Sequence, residues 1–364
     1  MEPQMLGNRN VPNYRCFLKS AANKAGLAAF ISDYVCTNGS ELLPAGKSVI
    51  LAGGCKEGEL VREVNEDGVS DIHDLKCTHE EADTRLLLHA VNLSTHHSRI
   101  ILRCDDTDVL VVLLYYWSRG MLASEVFMHC GHSGKDISRE RYIPVHEIAR
   151  TLGQDVCNVL PAVHALSGCD STSSMYRMGK KTAYSVLMEN AEALQGLGNL
   201  QDEESFTSSA MDFALLMNGK KAKKQASLND LRYHLATTTD KPASQLPPTE
   251  DAYKQHSLRA RYQTMIWCQS HIARPEIAGP VGHGWHMDNV NGLRPVFYMN
   301  ESAPAEVRDV THLYCTDKNC EGLKCQCLQA GLECIQICSC RSDCSNPFNR
   351  KPEEMEGETD GGDT

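Results

Sequence analysis

The sequence contains no hydrophobic run long enough to cross a membrane. Its most apolar stretch, VLVVLLYYW from Val109 to Trp117, is about half the length that a membrane-spanning helix needs. The N-terminal segment MEPQMLGNRNVPNYR lacks the apolar region of a secretory signal peptide. The sequence therefore predicts a soluble, unsecreted protein with no membrane partner.

The chain also lacks a basic charge field. Its 36 Lys and Arg residues are outnumbered by 47 Asp and Glu residues, which gives a formal net charge of −11. Binding to nucleic acid would therefore depend on local basic patches and not on overall attraction. Part of the acidity lies in the final segment, 348–364, which includes KPEEMEGETDGGDT and is predicted to be disordered.

A disulfide framework is missing from most of the chain. Nine of the 17 cysteines are scattered without regular spacing, whereas the other eight lie within residues 315–344. This contrast favours a reducing, intracellular compartment and one cysteine-metal module. Thiolates at these spacings suit tetrahedral zinc, with disulfides as the main alternative. The candidate zinc ligands are Cys315, Cys320, Cys325, Cys327, Cys334, Cys338, Cys340 and Cys344.

Helical and strand patterns alternate along the first 200 residues. RIILRC, residues 99–104, is typical of a buried parallel strand, and THEEADTRLLLHAVNL predicts an amphipathic helix that opens with a capping box of Thr78 and Glu81. DDTDVLVVLLYYW and RERYIPVHEIARTLG are predicted to be helical as well. Residues from about 200 to 270 are predicted to be mostly helical, and no internal repeat is present. This alternation predicts an α/β fold with a mostly parallel sheet.

Acidic residues stand at three places where a strand or loop passes into a helix. They are Glu81 with Asp83, Asp106 with Asp108, and Asp170. Acids at the carboxyl ends of parallel strands can converge, and carboxylates are the ligands that Mg²⁺ and Mn²⁺ prefer. Each acid alone is better explained by helix capping or a turn. Because capping needs one acid per helix start and two starts carry a pair, the set favours a metal site.

Three ordered motifs, EADTRLLLHA, ILRCDDTDVLVVL and HALSGCD followed by MGKKTA, resemble the flap-endonuclease-like branch of the PIN-like nucleases. The resemblance extends from about Thr78 to Leu194. It implies a PIN-like three-layer fold and a catalytic, metal-holding role for the five acids. It also implies a turn that grips the backbone of duplex DNA, formed by Gly179, Lys180 and Lys181.

The function that this resemblance implies is Mg²⁺-dependent or Mn²⁺-dependent cleavage of branched or single-stranded DNA in the nucleus. One departure bears on activity, since the family also uses two acids further upstream and the segment VILAGG carries none. The alternative is a catalytically inactive nuclease-fold protein that binds DNA or acts as a scaffold. Its protein partners are not indicated by the sequence.

The cysteine-rich segment resembles half of a tesmin-type CXC domain, in which nine cysteines hold three zinc ions and the module contacts DNA. Eight of the nine positions match, and Leu313 stands where the first cysteine would be. Paired modules of this kind resemble proteins derived from mobile elements. The predicted domains are an N-terminal helical and strand region, a PIN-like nuclease core with a helix-turn-helix, a helical extension with a connector, the CXC zinc module and the acidic tail, at residues 1–76, 77–200, 201–310, 311–347 and 348–364.

Overall fold

The fold is described from a computed structural model. It describes residues 14–54, 59–131, 140–219, 222, 225–300, 320, 326–329, 333–334, 340 and 344–348. The chain forms two compact units, Met1–Phe297 and Tyr298–Thr364. The described part is a mixed α/β protein, and none of its helices combines the length and the apolar character that crossing a bilayer requires.

Ten helices are described in the first unit and one short helix in the second. In chain order they are α1 (Tyr14–Phe17), α2 (Ala21–Leu42), α3 (Ala82–Leu93), α4 (Thr107–Ser118), α5 (Val145–Leu152), α6 (Gln154–Leu166), α7 (Lys180–Asn190), α8 (Glu203–Met217), α9 (Leu228–Thr238), α10 (Glu250–Cys268) and, in the second unit, α11 (Gln326–Gln329). The described strands are β1 (Val49–Ala52), β2 (Val61–Asn65), β3 (Gly68–Asp71), β4 (Arg99–Arg103), β5 (Glu125–Cys130), β6 (Arg141–Pro144), β7 (Trp285–Asp288) and β8 (Gly292–Pro295).

The prediction of a mostly parallel sheet is wrong for the described residues. The strands form three small sheets, ordered β1-β2-β3, β4-β5-β6 and β7-β8, and β4 with β5 is the single parallel pair among them. Only a two-residue turn separates β2 from β3, and so short a connection permits antiparallel pairing alone.

The strand β4 is half-buried, although its sequence predicts a fully buried strand. Ile100 and Leu102 are buried, whereas Ile101 is 55% exposed. In the described part of the chain β4 pairs only with β5, so it lies at the edge of its sheet. Helices therefore cover one face of this strand and solvent reaches the other.

The core of the first unit is built around α4 and α6. Helix α4 is apolar on all sides, as expected for a helix that other elements surround, and it packs against α3, α5, α6 and α10. Val112, Leu113 and Tyr116 are almost fully buried there. Burial of each such side chain contributes about 1.5–3 kcal/mol, so the ends of α4 and α6 are held rigidly.

Long-range hydrogen bonds fix the chain just before α3. The backbone N–H of Thr78 donates to the carbonyl oxygen of Ala273 at 3.1 Å, and His79 Nε2 lies 2.7 Å from the carbonyl oxygen of Ile272. The predicted capping box of Thr78 and Glu81 is therefore wrong. Thr78 bonds to the segment that follows α10, and α3 begins only at Ala82.

Candidate metal centres

The five predicted acids occupy three segments around the ends of the central helices. Glu81 is the N-cap of α3 and Asp83 lies in its first turn. Asp106 is the N-cap of α4 and Asp108 lies in its first turn. Asp170 follows α6, in the turn that the isolated bridge between residues 169 and 172 closes. We call these five residues the acidic cluster.

The position of Asp170 differs from the expectation that the acids follow parallel strands. Asp106 and Asp108 do follow β4, but Asp170 follows a helix and Glu81 follows a loop. Helix packing therefore assembles the acidic cluster, since α3, α4 and α6 are in mutual contact through α4. A single sheet edge does not explain it.

The acids are close enough to repel one another. The pKa of Glu81 is raised by partial burial and by the negative charges of Asp83, Asp108 and Asp170. The pKa of Asp83 is raised by partial burial and then by Asp106, Asp108 and Asp170. Every member of the acidic cluster thus lies in the electrostatic field of others from a different segment.

Helix capping explains one of these acids and fails to explain another. Asp106 Oδ1 accepts the backbone N–H of Asp108 at 2.9 Å, which is an ordinary N-cap bond. Glu81 also stands at an N-cap position, yet its side chain makes no capping hydrogen bond. Its carboxylate is therefore available for another ligand.

Asp108 has two neighbours, His164 and Lys180, whose contacts with it the sequence did not predict. His164 Nε2 lies 2.6 Å from Asp108 Oδ1, and this hydrogen bond lowers the pKa of Asp108. The nearby ammonium of Lys180 contributes in the same direction. His164 is buried in the last turn of α6, with the ring of Trp267 5.9 Å away between centroids. The sequence signal that points to His164 is its position on α6, six residues before Asp170.

The structure places Lys180 differently from the predicted DNA-gripping role. Its Nζ donates to the carbonyl oxygen of His164 at 2.6 Å, and burial lowers the pKa of the ammonium to about 8. The residue as a whole is exposed, so its aliphatic stem meets solvent while its charge points inward.

Gly179 and Lys181 remain on the outer surface. Gly179 is the N-cap of α7, and a side chain at this position would meet no atom within 4 Å. Lys181 is exposed in the first turn of the same helix. The start of α7 is thus open to an anion such as a phosphate, which exposed backbone N–H groups at a helix N-terminus suit.

Carboxylate oxygens with raised pKa values fit a hard divalent cation, because bound positive charge relieves their repulsion. Their spacing is wide, however. Among the described residues, only one group of three or more metal-ligating side chains has its ligand atoms within 4.8 Å of one another, and that group consists of cysteines. The acidic cluster would therefore have to contract, or use water ligands, to complete a coordination shell.

The cysteine group lies in the second unit and comprises Cys320, Cys334, Cys340 and Cys344. The sulfur atoms of Cys320 and Cys334 are 3.6 Å apart, close to the separation of about 3.8 Å that a tetrahedral site with Zn–S bonds of about 2.3 Å requires. None of the described cysteines forms a disulfide. These four cysteines are close enough to bind one metal ion and are compatible with zinc.

The remaining predicted zinc ligands are not part of this group. Cys327 is buried in the same apolar cluster as Cys320 and Cys334, but it does not belong to the four. Cys315, Cys325 and Cys338 lie outside the described residues. Asn346 donates its Nδ2–H to the sulfur of Cys334 at 3.2 Å, and such an outer-shell hydrogen bond orients a ligand.

Comparisons with protein-family models, with curated proteins and with solved structures find no match to this chain.

Proposed function

We propose that the first unit is a metal-dependent nuclease of PIN-like type that hydrolyses DNA phosphodiesters. The observation that carries this proposal is the mutual repulsion of the acidic cluster. Three chain segments that are distant in sequence bring five carboxylates into one field. Partial burial and then this repulsion raise the pKa values of Glu81 and Asp83. Natural folds tolerate such repulsion mainly where charge is needed for function.

In this proposal Glu81, Asp83, Asp106 and Asp170 hold Mg²⁺ or Mn²⁺ through carboxylate oxygens. When bound there, such an ion would supply an activated water and neutralise charge at the scissile phosphate. Asp108 is held in one orientation by His164, so its second oxygen can face the site. The backbone N–H groups at the start of α7 and the ammonium of Lys181 position the DNA backbone.

The second unit supports DNA binding in the proposal without taking part in cleavage. Its four convergent cysteines hold zinc, and we propose that the remaining cysteines complete a CXC module that contacts DNA in the nucleus. The association of the two units on one chain would keep the nuclease site near its substrate by raising the local concentration of DNA.

The alternative function is that of an inactive nuclease-fold protein that binds DNA or acts as a scaffold. A specific observation favours it, because His164 already occupies one oxygen of Asp108 and the ammonium of Lys180 lies nearby. No three acids of the cluster, all of which lie in the described part, bring their oxygens within 4.8 Å of one another. With the two upstream acids of the resembled family missing as well, we expect cleavage to be slow.

The test is cleavage of a labelled DNA flap in Mg²⁺ and in Mn²⁺ by the full chain and by Asp83→Asn. The control is Asp155→Asn, which removes an exposed acid from the first turn of α6 and so changes the helix terminus in the same way. We expect slow cleavage that falls at least about 100-fold in Asp83→Asn and is unchanged in the control. Flap binding by the parent without cleavage in either metal would favour the alternative.

A further inference from the structure

A groove of about 850 Å³ runs between two strand edges on the first unit, away from the acidic cluster's carboxylates. Its walls are β1 and β4, and its floor is α3. We call it the edge groove and define it by Lys47, Ile50, Ala52, Arg85, Leu86 and Ile101. The two walls belong to different sheets. Among the described residues, no strand pairs with β1 or β4 from the side of the groove.

The backbone of β4 directs alternate residues into this groove. On the side of β5, the carbonyl oxygen of Ser98 accepts from Glu125, and the N–H of Cys104 donates to His129. Even-numbered residues of β4 therefore pair with β5. The N–H and C=O groups of Arg99, Ile101 and Arg103 consequently point to the opposite side.

The backbone of β1 does the same from the other wall. The N–H of Ile72 donates to the carbonyl oxygen of Val61, so the backbone groups of Val61 face β3. Those of the next residue, Arg62, therefore face β1, where Arg62 pairs with Leu51. The neighbours of Leu51, which are Ile50 and Ala52, thus direct their backbone groups away from β2. Both of them line the groove.

The side chains of the edge groove combine apolar surface with positive charge. Ile101 is 55% exposed and Leu86 is 36% exposed, so apolar surface is available to a ligand. Lys47, Arg85 and Arg99 line the groove, and the described residues that line it include no Asp or Glu. Arg99 is paired with Glu125 beyond the groove, whereas Lys47 is exposed at the mouth. In a chain of net charge −11, this is a local cationic surface.

We propose that the edge groove binds an extended segment of a second polypeptide as an added β-strand between β1 and β4. Two facing rows of backbone donors and acceptors select a peptide backbone, which can bond on both of its sides. The apolar and cationic side chains that line the groove favour a peptide whose own side chains alternate between apolar and acidic. The proposal extends beyond the nuclease function and does not depend on it, since none of the acidic cluster lines the groove.

The probe is a synthetic peptide of four Glu-Val repeats, acetylated and amidated, added to the full chain. Amide hydrogen exchange is followed residue by residue by NMR. We expect exchange at Ile50, Ala52 and Ile101 to slow at least about tenfold, because a new strand would bond to these N–H groups. Exchange at Ile100 and Leu102, which face β5, should stay unchanged and serves as the internal control.

Two matched controls separate backbone pairing from charge attraction. The same peptide with an N-methyl group on every residue keeps its charge but loses its donors on both edges, and it should not slow exchange. On the protein, Ile101→Pro removes an N–H that faces the groove and none that bonds to β5, and it should abolish binding, whereas Ile101→Val should retain it. The N-methylated peptide keeps the test decisive if Ile101→Pro fails to fold.

Several outcomes would overturn the proposal. Equal protection by the N-methylated peptide would show nonspecific charge binding. Slow exchange at Ile50 and Ile101 before any peptide is added, at all protein concentrations, would show that another part of the chain fills the groove. Protection that grows with protein concentration would assign the groove to a second copy, and protection by a single-stranded oligonucleotide but not by the peptide would assign it to nucleic acid.

Discussion

Asp108 is the acid of the cluster whose negative charge is stabilised most directly by its neighbours. Its hydrogen bond to His164 lowers its pKa, whereas Glu81 and Asp83 have raised pKa values. The same pocket therefore contains one carboxylate stabilised in the charged form and two that are destabilised in it. Residues with these opposite tendencies are expected to play different roles, the first as a fixed orienting group and the others as metal ligands.

The pairing of Asp108 with His164 predicts a coupling energy. We expect His164→Ala to lower the free energy of unfolding by about 1.5–3 kcal/mol at pH 7, because a charge-assisted hydrogen bond is lost. After Asp108→Asn the same change should cost less, and denaturant unfolding of the four proteins measures the difference. A depressed pKa contributes stability that is lost as the pH falls through the folded-state pKa, so the coupling should fade toward pH 3. Equal costs in both backgrounds would contradict it.

The raised pKa of Asp83 predicts the opposite pH dependence. A carboxyl group whose folded-state pKa is raised contributes most stability below its ordinary pKa of about 3.9, and that contribution is lost as the pH rises through the folded-state value. Without divalent cations, Asp83→Asn should thus stabilise the fold at pH 7, by up to about 1 kcal/mol because solvent screens the site, and have little effect at pH 3.

Added Mg²⁺ should reverse this order, since ligand binding stabilises the parent and the variant binds less tightly. Thermal unfolding with and without 10 mM Mg²⁺, on the order of a saturating concentration for a weak site, measures both effects. Asp155→Asn again corrects for the loss of an acid in a first helical turn. Destabilisation by Asp83→Asn at pH 7 in the absence of metal would contradict the repulsion that underlies the proposed site.

At the scale of elements, α4 is tied to the segment that ends α10 by one hydroxyl group. Tyr116 Oη lies 3.1 Å from the carbonyl oxygen of Trp267 and 3.0 Å from His271 Nδ1, and it accepts the backbone N–H of His271 at 3.2 Å. The Tyr116 side chain is fully buried. Removing the hydroxyl would take the acceptor of this bond from the backbone N–H of His271, whereas the carbonyl oxygen of Trp267 still accepts from Ser270.

We therefore expect Tyr116→Phe to lower the free energy of unfolding by about 1–3 kcal/mol. Tyr233→Phe, at a side chain that is 72% exposed, is the matched control and should have little effect. Urea unfolding measures both, and the dependence of the free energy on urea should be unchanged because the same surface is exposed. A loss no greater than that of the control would show that water replaces these bonds.

The sequence predicts the helices better than the sheets. The apolar patterns of α3 and α4 are local properties of twelve residues each, and both helices are confirmed. Strand pairing depends on partners elsewhere in the chain, so RIILRC was correctly predicted as a strand while its exposed edge and face were not. The predicted helical stretch RERYIPVHEIARTLG likewise opens with β6 before α5 begins.

The features of the candidate site likewise fall into local ones, which the sequence predicts, and long-range contacts, which it does not. The acids were found because their spacing is local, whereas the contact of His164 with Asp108 spans 56 residues and has no local signature. The prediction of a capping box is wrong because the N–H of Thr78 donates to the carbonyl oxygen of Ala273, far along the chain. The hydrogen bond from Lys180 to the carbonyl oxygen of His164 was not predicted either, because the sequence does not tell which way a long side chain lies.

At the scale of the whole molecule, the two compact units offer separate spectroscopic signals. All three tryptophans, Trp117, Trp267 and Trp285, belong to the first unit, and the convergent cysteines belong to the second. Metal removal can therefore be followed in one unit while the other serves as its reference.

We expect the native protein to contain zinc that is released by a chelator or by acid, because thiolate ligands must stay deprotonated. Cys334→Ser should reduce the zinc content by at least one ion per chain, and Cys36→Ser should leave it unchanged. Native mass spectrometry measures the ions, and tryptophan fluorescence should show an unchanged melting temperature of the first unit. Four disulfides with no metal in freshly reduced protein would contradict the assignment.

The hydrogen bonds that fix the chain before α3 have a consequence for the order of folding. Thr78 and His79 are held by residues 272 and 273, and the sequence separation of the His79 contact is 193 residues. Closing a loop of that length costs roughly 5 kcal/mol of chain entropy, which only the assembled core can offset. During synthesis the segment that carries Glu81 and Asp83 lacks these two hydrogen bonds until α10 and the residues after it have left the ribosome. Until then the packing of α3 against α4 is what holds these two acids near Asp106 and Asp108.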